Sequence, residues 1–206
     1  SPSTEKLISV FSKKYGNVRH VQMDAVSSHG MLEANLSTFG VRALPSYHFD
    51  KADVIVSFGA DFIANWGHPD NESSYIKGRN PKSGIMSKHF QVESTLTLTG
   101  SNADERIQIK PSEQSKLISN LYTHLSSGGE IDSRIDKLVS SLKTAKSSIV
   151  ISNSNDKDVQ LLVNSINNLL GNYSSTIDMS YPSYLRKGND EDVATLISDI
   201  NAGNID

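Results

Sequence analysis

The sequence predicts an α/β protein built as two successive Rossmann-like units, each a mainly parallel sheet flanked by helices. Three observations lead there. Short β-branched runs alternate with stripes of apolar residues at helical spacing along the chain. The run Asp53-Val54-Ile55-Val56-Ser57-Phe58 is almost continuously apolar, as a strand buried on both faces of a parallel sheet must be. Glycines at Gly40, Gly128-Gly129 and Gly171 close three of the helical stripes.

The elements follow in order. Leu7, Val10 and Phe11 mark a first helical stripe, and Val18 to Met23 reads as a strand. Ser27 to Phe39 is a second helix. Phe90 to Thr95 and Arg106 to Lys110 are strands, the latter stopped by Pro111, which suits the first turn of a helix. That helix carries Leu117, Ile118, Leu121 and Leu125 on one face. Residues 1–127 make the first unit, joined near Ser126 to Gly129 to a second over 128–206. In the second unit Ile131, Ile135, Leu138, Val139 and Leu142 keep helical spacing, and Ser148 to Ser152 is a buried strand. A helix over Val159 to Leu170, a strand over Thr176 to Ser180 and a helix over Val193 to Ile200 complete it. The sequence stops where the next strand should begin, and Ser1 to Thr4 reads as a loop. The chain is therefore expected to be a piece of a longer protein, truncated in its second unit.

Composition narrows the chemistry. The 206 residues include 20 basic and 23 acidic side chains, for a net charge of −3. That balance argues against nonspecific nucleic-acid binding, which needs a basic face. There is no cysteine, so no disulfide, thiol catalysis or cysteine-held cluster belongs to this chain. No apolar run approaches the ~20 residues of a membrane-spanning helix, so direct insertion is not expected.

The best candidate for a ligand turn is Gly59-Ala60-Asp61-Phe62, at the exit of the apolar strand. Open α/β sheets bind ligands outside the carboxyl ends of their strands. The turn lacks the further glycines of a dinucleotide fingerprint and the lysine of a phosphate loop, and Asp61 would repel a pyrophosphate. A tight strand exit is the plainer reading. His20, His29, His48, His68, His89 and His124 are scattered without metal-ligand spacing. His68 lies in Trp66-Gly67-His68-Pro69-Asp70, read as a structural loop anchored by Trp66. The basic run Lys77 to Lys82 reads as a solvated loop, and Asp190-Glu191-Asp192 as acidic residues suited to a helix N-terminus. No G-x-S-x-G elbow is present.

Between Asp24 and Gln114 lie longer stretches: HVQMDAVSSHGMLEAN, FDKADVIVSFGADF and MSKHFQVESTLTLTGSNADERIQIKPSEQ. They resemble the molybdopterin oxidoreductase superfamily, and most of all the molybdopterin-like iron–sulfur subunit of bacterial alternative complex III. The resemblance implies formate dehydrogenase/DMSO reductase-like domains. In that family's cofactor-binding branch the strand exit reads glycine, any residue, asparagine, where this chain has Gly59, Ala60 and Asp61. A proline-glycine-threonine-aspartate turn corresponds to Pro111-Ser112-Glu113-Gln114, and an aspartate-proline-arginine to Glu93-Ser94-Thr95. An ionised carboxylate only accepts hydrogen bonds, and losing a glycine adds a side chain where backbone approach is wanted. The resemblance thus implies a domain that kept the fold and lost its cofactor, with Gly59, Asp61, Glu93, Ser112 and Glu113 as vestigial positions. It implies no catalytic residue, metal or cofactor here, although the parent family carries molybdopterin guanine dinucleotide and iron–sulfur clusters. The function implied is a noncatalytic part of a respiratory quinol-oxidising complex. Its partners would be the other domains and subunits of that membrane-bound assembly, on the periplasmic side of the bacterial inner membrane. The alternative is the cofactor-binding portion of an active molybdopterin-dependent oxidoreductase.

Overall fold

The computed structural model describes residues 2–84 and 86–205. Its contacts divide the chain into two compact units, one made of residues 1–29 and 187–206, the other of residues 30–186.

The larger unit is α/β. Strands β2 (Val54–Phe58), β3 (Lys88–Glu93), β4 (Glu105–Gln108) and β5 (Ser148–Ser152) form one parallel sheet in the order β4-β3-β2-β5. All five residues of β2 and of β5 are buried, as strands covered on both faces must be. On one face Val54, Val56, Phe58, Phe90, Val92 and Val150 meet the apolar stripes of α5 (Gln114–Ser127), α6 (Asp136–Thr144) and α7 (Lys157–Leu169). On the other, Ile55, Ile149 and Ile151 pack with Phe49, Phe62 and Tyr75, the last from α3 (Asp70–Gly78). Helix α2 (His29–Phe39) buries Met31 and Leu32 against Leu44 of β1 (Leu44–Tyr47). The short α4 (Leu98–Ser101) joins β3 to β4.

Several expectations change. β5 comes from beyond Gly129 yet pairs with β2, so a single parallel sheet draws on both stretches that the sequence divided near Ser126 to Gly129. The strand expected over Thr176 to Ser180 exists as β6 (Ile177–Ser183), but it pairs antiparallel with β1, outside the parallel sheet. The loops expected at Trp66 to Asp70 and Lys77 to Lys82 are joined by a helix that takes in part of each: α3 runs from Asp70 to Gly78, with Tyr75 driven into the core.

The smaller unit holds α1 (Pro2–Tyr15) and α8 (Asp190–Asn201). Pro2 to Thr4 stand in the first turn of α1 rather than in a loop. Val18 to Met23 form no strand, because a strand needs lateral partners and this stretch lacks a regular ladder; Gln22 accepts one backbone bond, from Asn189 (3.1 Å). Asn189 caps α8, its Oδ1 accepting from the Glu191 and Asp192 amides (3.1 and 3.4 Å). Asp190, Glu191 and Asp192 form the first turn. Among the described residues no helix is long and apolar enough to cross a membrane.

Candidate functional site: the strand-end crevice

The chain steps from β2 to β3 to β4 in one direction, then crosses over to β5 on the other side of β2. Loops leaving β2 and β5 at their carboxyl ends therefore diverge, which is where open α/β sheets receive ligands. Gly59 stands at that point. Its φ of +72° is a conformation glycine adopts freely, and its amide donates to the Val92 carbonyl (2.8 Å).

The crevice is filled from within. A Cβ on Gly59 would lie 2.6 Å from Asn153 Oδ1, so the Asn153 side chain already rests on the turn. The Asn153 amide donates to the Phe58 carbonyl (3.0 Å). Gln114, opening α5, brings Nε2 to the Phe58 carbonyl (3.2 Å), Ser152 Oγ (3.0 Å) and Asn153 Oδ1 (3.0 Å). Beside it, the loop after β5 lies against α2, where a Cβ on Gly30 would be 2.2 Å from the Asn155 carbonyl oxygen. The Gly30 amide, in the first turn of α2, donates to Asn155 Oδ1 (2.9 Å). A helix N-terminus that elsewhere attracts a phosphate here holds a side-chain amide.

The other sequence-predicted positions are equally engaged. Asp61 Oδ1 accepts from the Thr99 amide (2.9 Å) and hydroxyl (2.6 Å), tying the β2 exit to α4. Its carbonyl accepts from the amides of Ala64, Asn65 and Trp66, which shapes the following turn. Glu93 is almost fully buried at the end of β3. It accepts from Arg106 Nε (2.6 Å), Thr97 Oγ1 (2.7 Å), Gln91 Nε2 (3.1 Å) and the Thr97 amide (3.3 Å). Burial pushes its pKa up, but those donors outweigh it and hold the acid below its ordinary value. Glu113 accepts from the Lys110 amide (2.9 Å) and pairs with Arg134 (3.2 Å), fixing the single turn that carries the exposed Ser112. The structure thus gathers Gly59, Asp61, Glu93, Ser112 and Glu113 at the carboxyl end of the sheet, where Gly59, Asp61, Glu93 and Glu113 bond to the chain's own turns and Ser112 is exposed.

Behind the crevice lies a polar row that the sequence reading missed. His89, Gln91 and Glu93 alternate along β3 and share one buried face. Tyr75 Oη is 3.0 Å from His89 Nδ1, His89 Nε2 is 3.3 Å from Gln91 Oε1, and Gln91 Nε2 donates to Glu93. Burial, the dominant effect, lowers the His89 pKa to about 4. The alternation of polar residues in KHFQVE was the available signal, but by itself it suggests a solvent-facing side.

The remaining candidates are placed as follows. His68 pairs with Asp70 (3.2 Å) beside Trp66, whose ring packs 5.4 Å from Tyr47. Lys77 pairs with Asp50 (2.7 Å), and Arg79 grips Asp104 through two nitrogens (2.7 and 2.9 Å), so the basic run braces α3 against its neighbours. Among the described residues no three His, Asp or Glu side chains converge as a metal site.

The fold defines the class, a parallel α/β domain, and at its strand-end turn the Gln114 and Asn153 side chains bond to the chain itself. No family model matches the chain, and no curated protein matches it. A solved structure does share the fold, a chain of the formyltransferase/hydrolase complex (FhcABCD) from Methylorubrum extorquens in complex with methylofuran. It aligns with a TM-score of 0.51 at 13% identity, over 72% of this chain and 41% of that one. The chain therefore spans less than half the length of that neighbour, and the likeness concerns the fold. It corrects the molybdopterin oxidoreductase resemblance, since the structural neighbour is a formyltransferase/hydrolase subunit and no oxidoreductase family model matches. Membership of a respiratory quinol-oxidising complex falls with it, as does the alternative of an active molybdopterin-dependent oxidoreductase. The neighbour belongs to a multi-subunit complex.

Proposed function

We propose that this chain is an α/β assembly module, a component of a multi-subunit protein, and that its strand-end crevice is a packing seam working without a cofactor. The observation that carries this reading is the Gln114–Asn153–Gly59 cluster: one carboxamide reaches three acceptors at the place where a ligand would enter. A ligand would have to displace the Gln114 bonds, each worth a net ~0.5–1.5 kcal/mol, while the Phe58 carbonyl would keep the Asn153 amide as its donor. The fold likeness to a chain of a multi-subunit formyltransferase/hydrolase complex supports the assembly role.

The test pairs two measurements. Thermal unfolding with mononucleotides and dinucleotides at high concentration should show no shift, whereas a true ligand at 100 times its Kd stabilises by about 2.7 kcal/mol. Native mass spectrometry of the protein from its own host should show it bound to other chains. A nucleotide-induced stabilisation that changes on Gln114→Ala or Asn153→Ala would overturn the reading.

A further inference from the structure

We infer that the smaller unit pairs with a second copy of this chain, α1 of each copy lying antiparallel on α8 of the other. Every buried apolar residue described belongs to residues 30–186, so the smaller unit has no core of its own. Its helices have 14 and 12 residues, lengths at which isolated helices are marginal in water. They nevertheless expose apolar ridges. Leu7, Val10 and Phe11 on α1 and Ile197 and Ile200 on α8 are each more than half exposed. Within one copy α1 and α8 do not pack along their lengths.

The two ridges are matched in spacing and charge. Leu7 and Val10 are three residues apart, as are Ile197 and Ile200. An antiparallel alignment with Leu7 beside Ile200 puts Val10 beside Ile197, and Phe11 beside the partly buried Leu196. The same alignment brings Lys13 and Lys14, in the last turn of α1, to the acidic first turn of α8. Helix α1 carries three lysines against one glutamate, and α8 carries four carboxylates and no basic residue. Each copy offers both halves of the contact, so a two-fold axis makes it twice and closes the assembly. Charge complementarity selects a second copy over a partner of unrelated surface.

The inference rests on reading the chain as an assembly module. Sedimentation velocity of the purified chain over a range of concentrations should show a dimer of twice 22.5 kDa. Phe11→Glu should give a monomer with an unchanged circular dichroism spectrum. Lys13→Glu with Lys14→Glu should weaken the dimer by about tenfold, equivalent to 1.4 kcal/mol. Adding Glu191→Lys and Asp192→Lys to that pair should restore it. A monomer up to the solubility limit, a dimer indifferent to Phe11→Glu, or a charge swap that fails to restore pairing would each overturn the inference. A monomer that still joins other chains in its host would sink the pairing and leave the assembly reading standing. Nucleotide binding at the crevice would do the reverse.

Discussion

Asn167, on α7, gives Val150, in the middle of β5, the two hydrogen bonds that a neighbouring strand would supply. Its Oδ1 accepts from the Val150 amide (3.1 Å) and its Nδ2 donates to the Val150 carbonyl (2.7 Å). Asn172 Nδ2 then donates to Asn167 Oδ1 (2.7 Å), Thr176 Oγ1 donates to the Ser148 carbonyl, and Gln160 Nε2 donates to that of Ser152 (3.0 Å). The outer edge of β5 is sealed by side chains, which removes a template for unwanted strand pairing.

Asn167→Leu keeps the volume but strands a buried amide and carbonyl. It should destabilise the fold by about 2–4 kcal/mol, since each unsatisfied group costs about 1–3. Urea denaturation checks it, and a loss within 0.5 kcal/mol, the usual range for surface changes, would refute the edge-sealing role.

Gly59→Ala meets two obstacles, the +72° φ and the Asn153 side chain. In the wild-type background it should cost about 2 kcal/mol or more; with Asn153→Ala already present the added cost should fall to about 1 kcal/mol, the backbone part alone. Equal costs in both backgrounds would mean that Asn153 does not occupy the turn.

Gly100 is small because of Glu93: a Cβ there would lie 2.0 Å from Glu93 Oε1. Gly100→Ala should push the carboxylate off Arg106 and cost about 3 kcal/mol, as broken buried ion pairs do. The same change in a Glu93→Ala protein should be far milder, so a double-mutant cycle from thermal unfolding should show strong coupling. Additive effects would count against the contact.

His89 makes stability depend on pH. Its folded pKa of about 4 lies below the ordinary histidine value near 6.5, so the unfolded chain binds more protons between the two. Its contribution is fully present above about pH 6.5 and is lost as pH falls toward 4. Between pH 7 and pH 5 the loss should be about 2 kcal/mol. His89→Gln should remove that part of the pH dependence while leaving the acid unfolding of the carboxylates. Parallel pH profiles for the two proteins would show that His89 is not held neutral.

Much of this was legible in the sequence. VIVSF and SIVIS announced β2 and β5, the two fully buried strands, because full burial leaves little choice but largely apolar residues. The stripes of α5, α6 and α7 announced helices, because one covered face imposes a 3.6-residue period. The strand LPSY and helix α3 were not legible: Pro45 and the polar DNESSYIKG hide elements whose cohesion comes from neighbours. The resemblance drawn from the strings around Gly59 and Glu93 pointed to the wrong class of protein, since a shared pattern of turns reports a sheet with helices and no chemistry.

By itself the sequence determined a parallel α/β architecture and a strand exit at Gly59, because burial period and glycine chemistry are local properties. Only the tertiary structure decided that β5 joins β2 and that Asn153 and Gln114 meet at the Gly59 turn. It alone decided that His89, Gln91 and Glu93 lie inside. Those outcomes depend on which residues distant in the chain become neighbours, and a polar side chain is inside or outside only according to the partners it finds there.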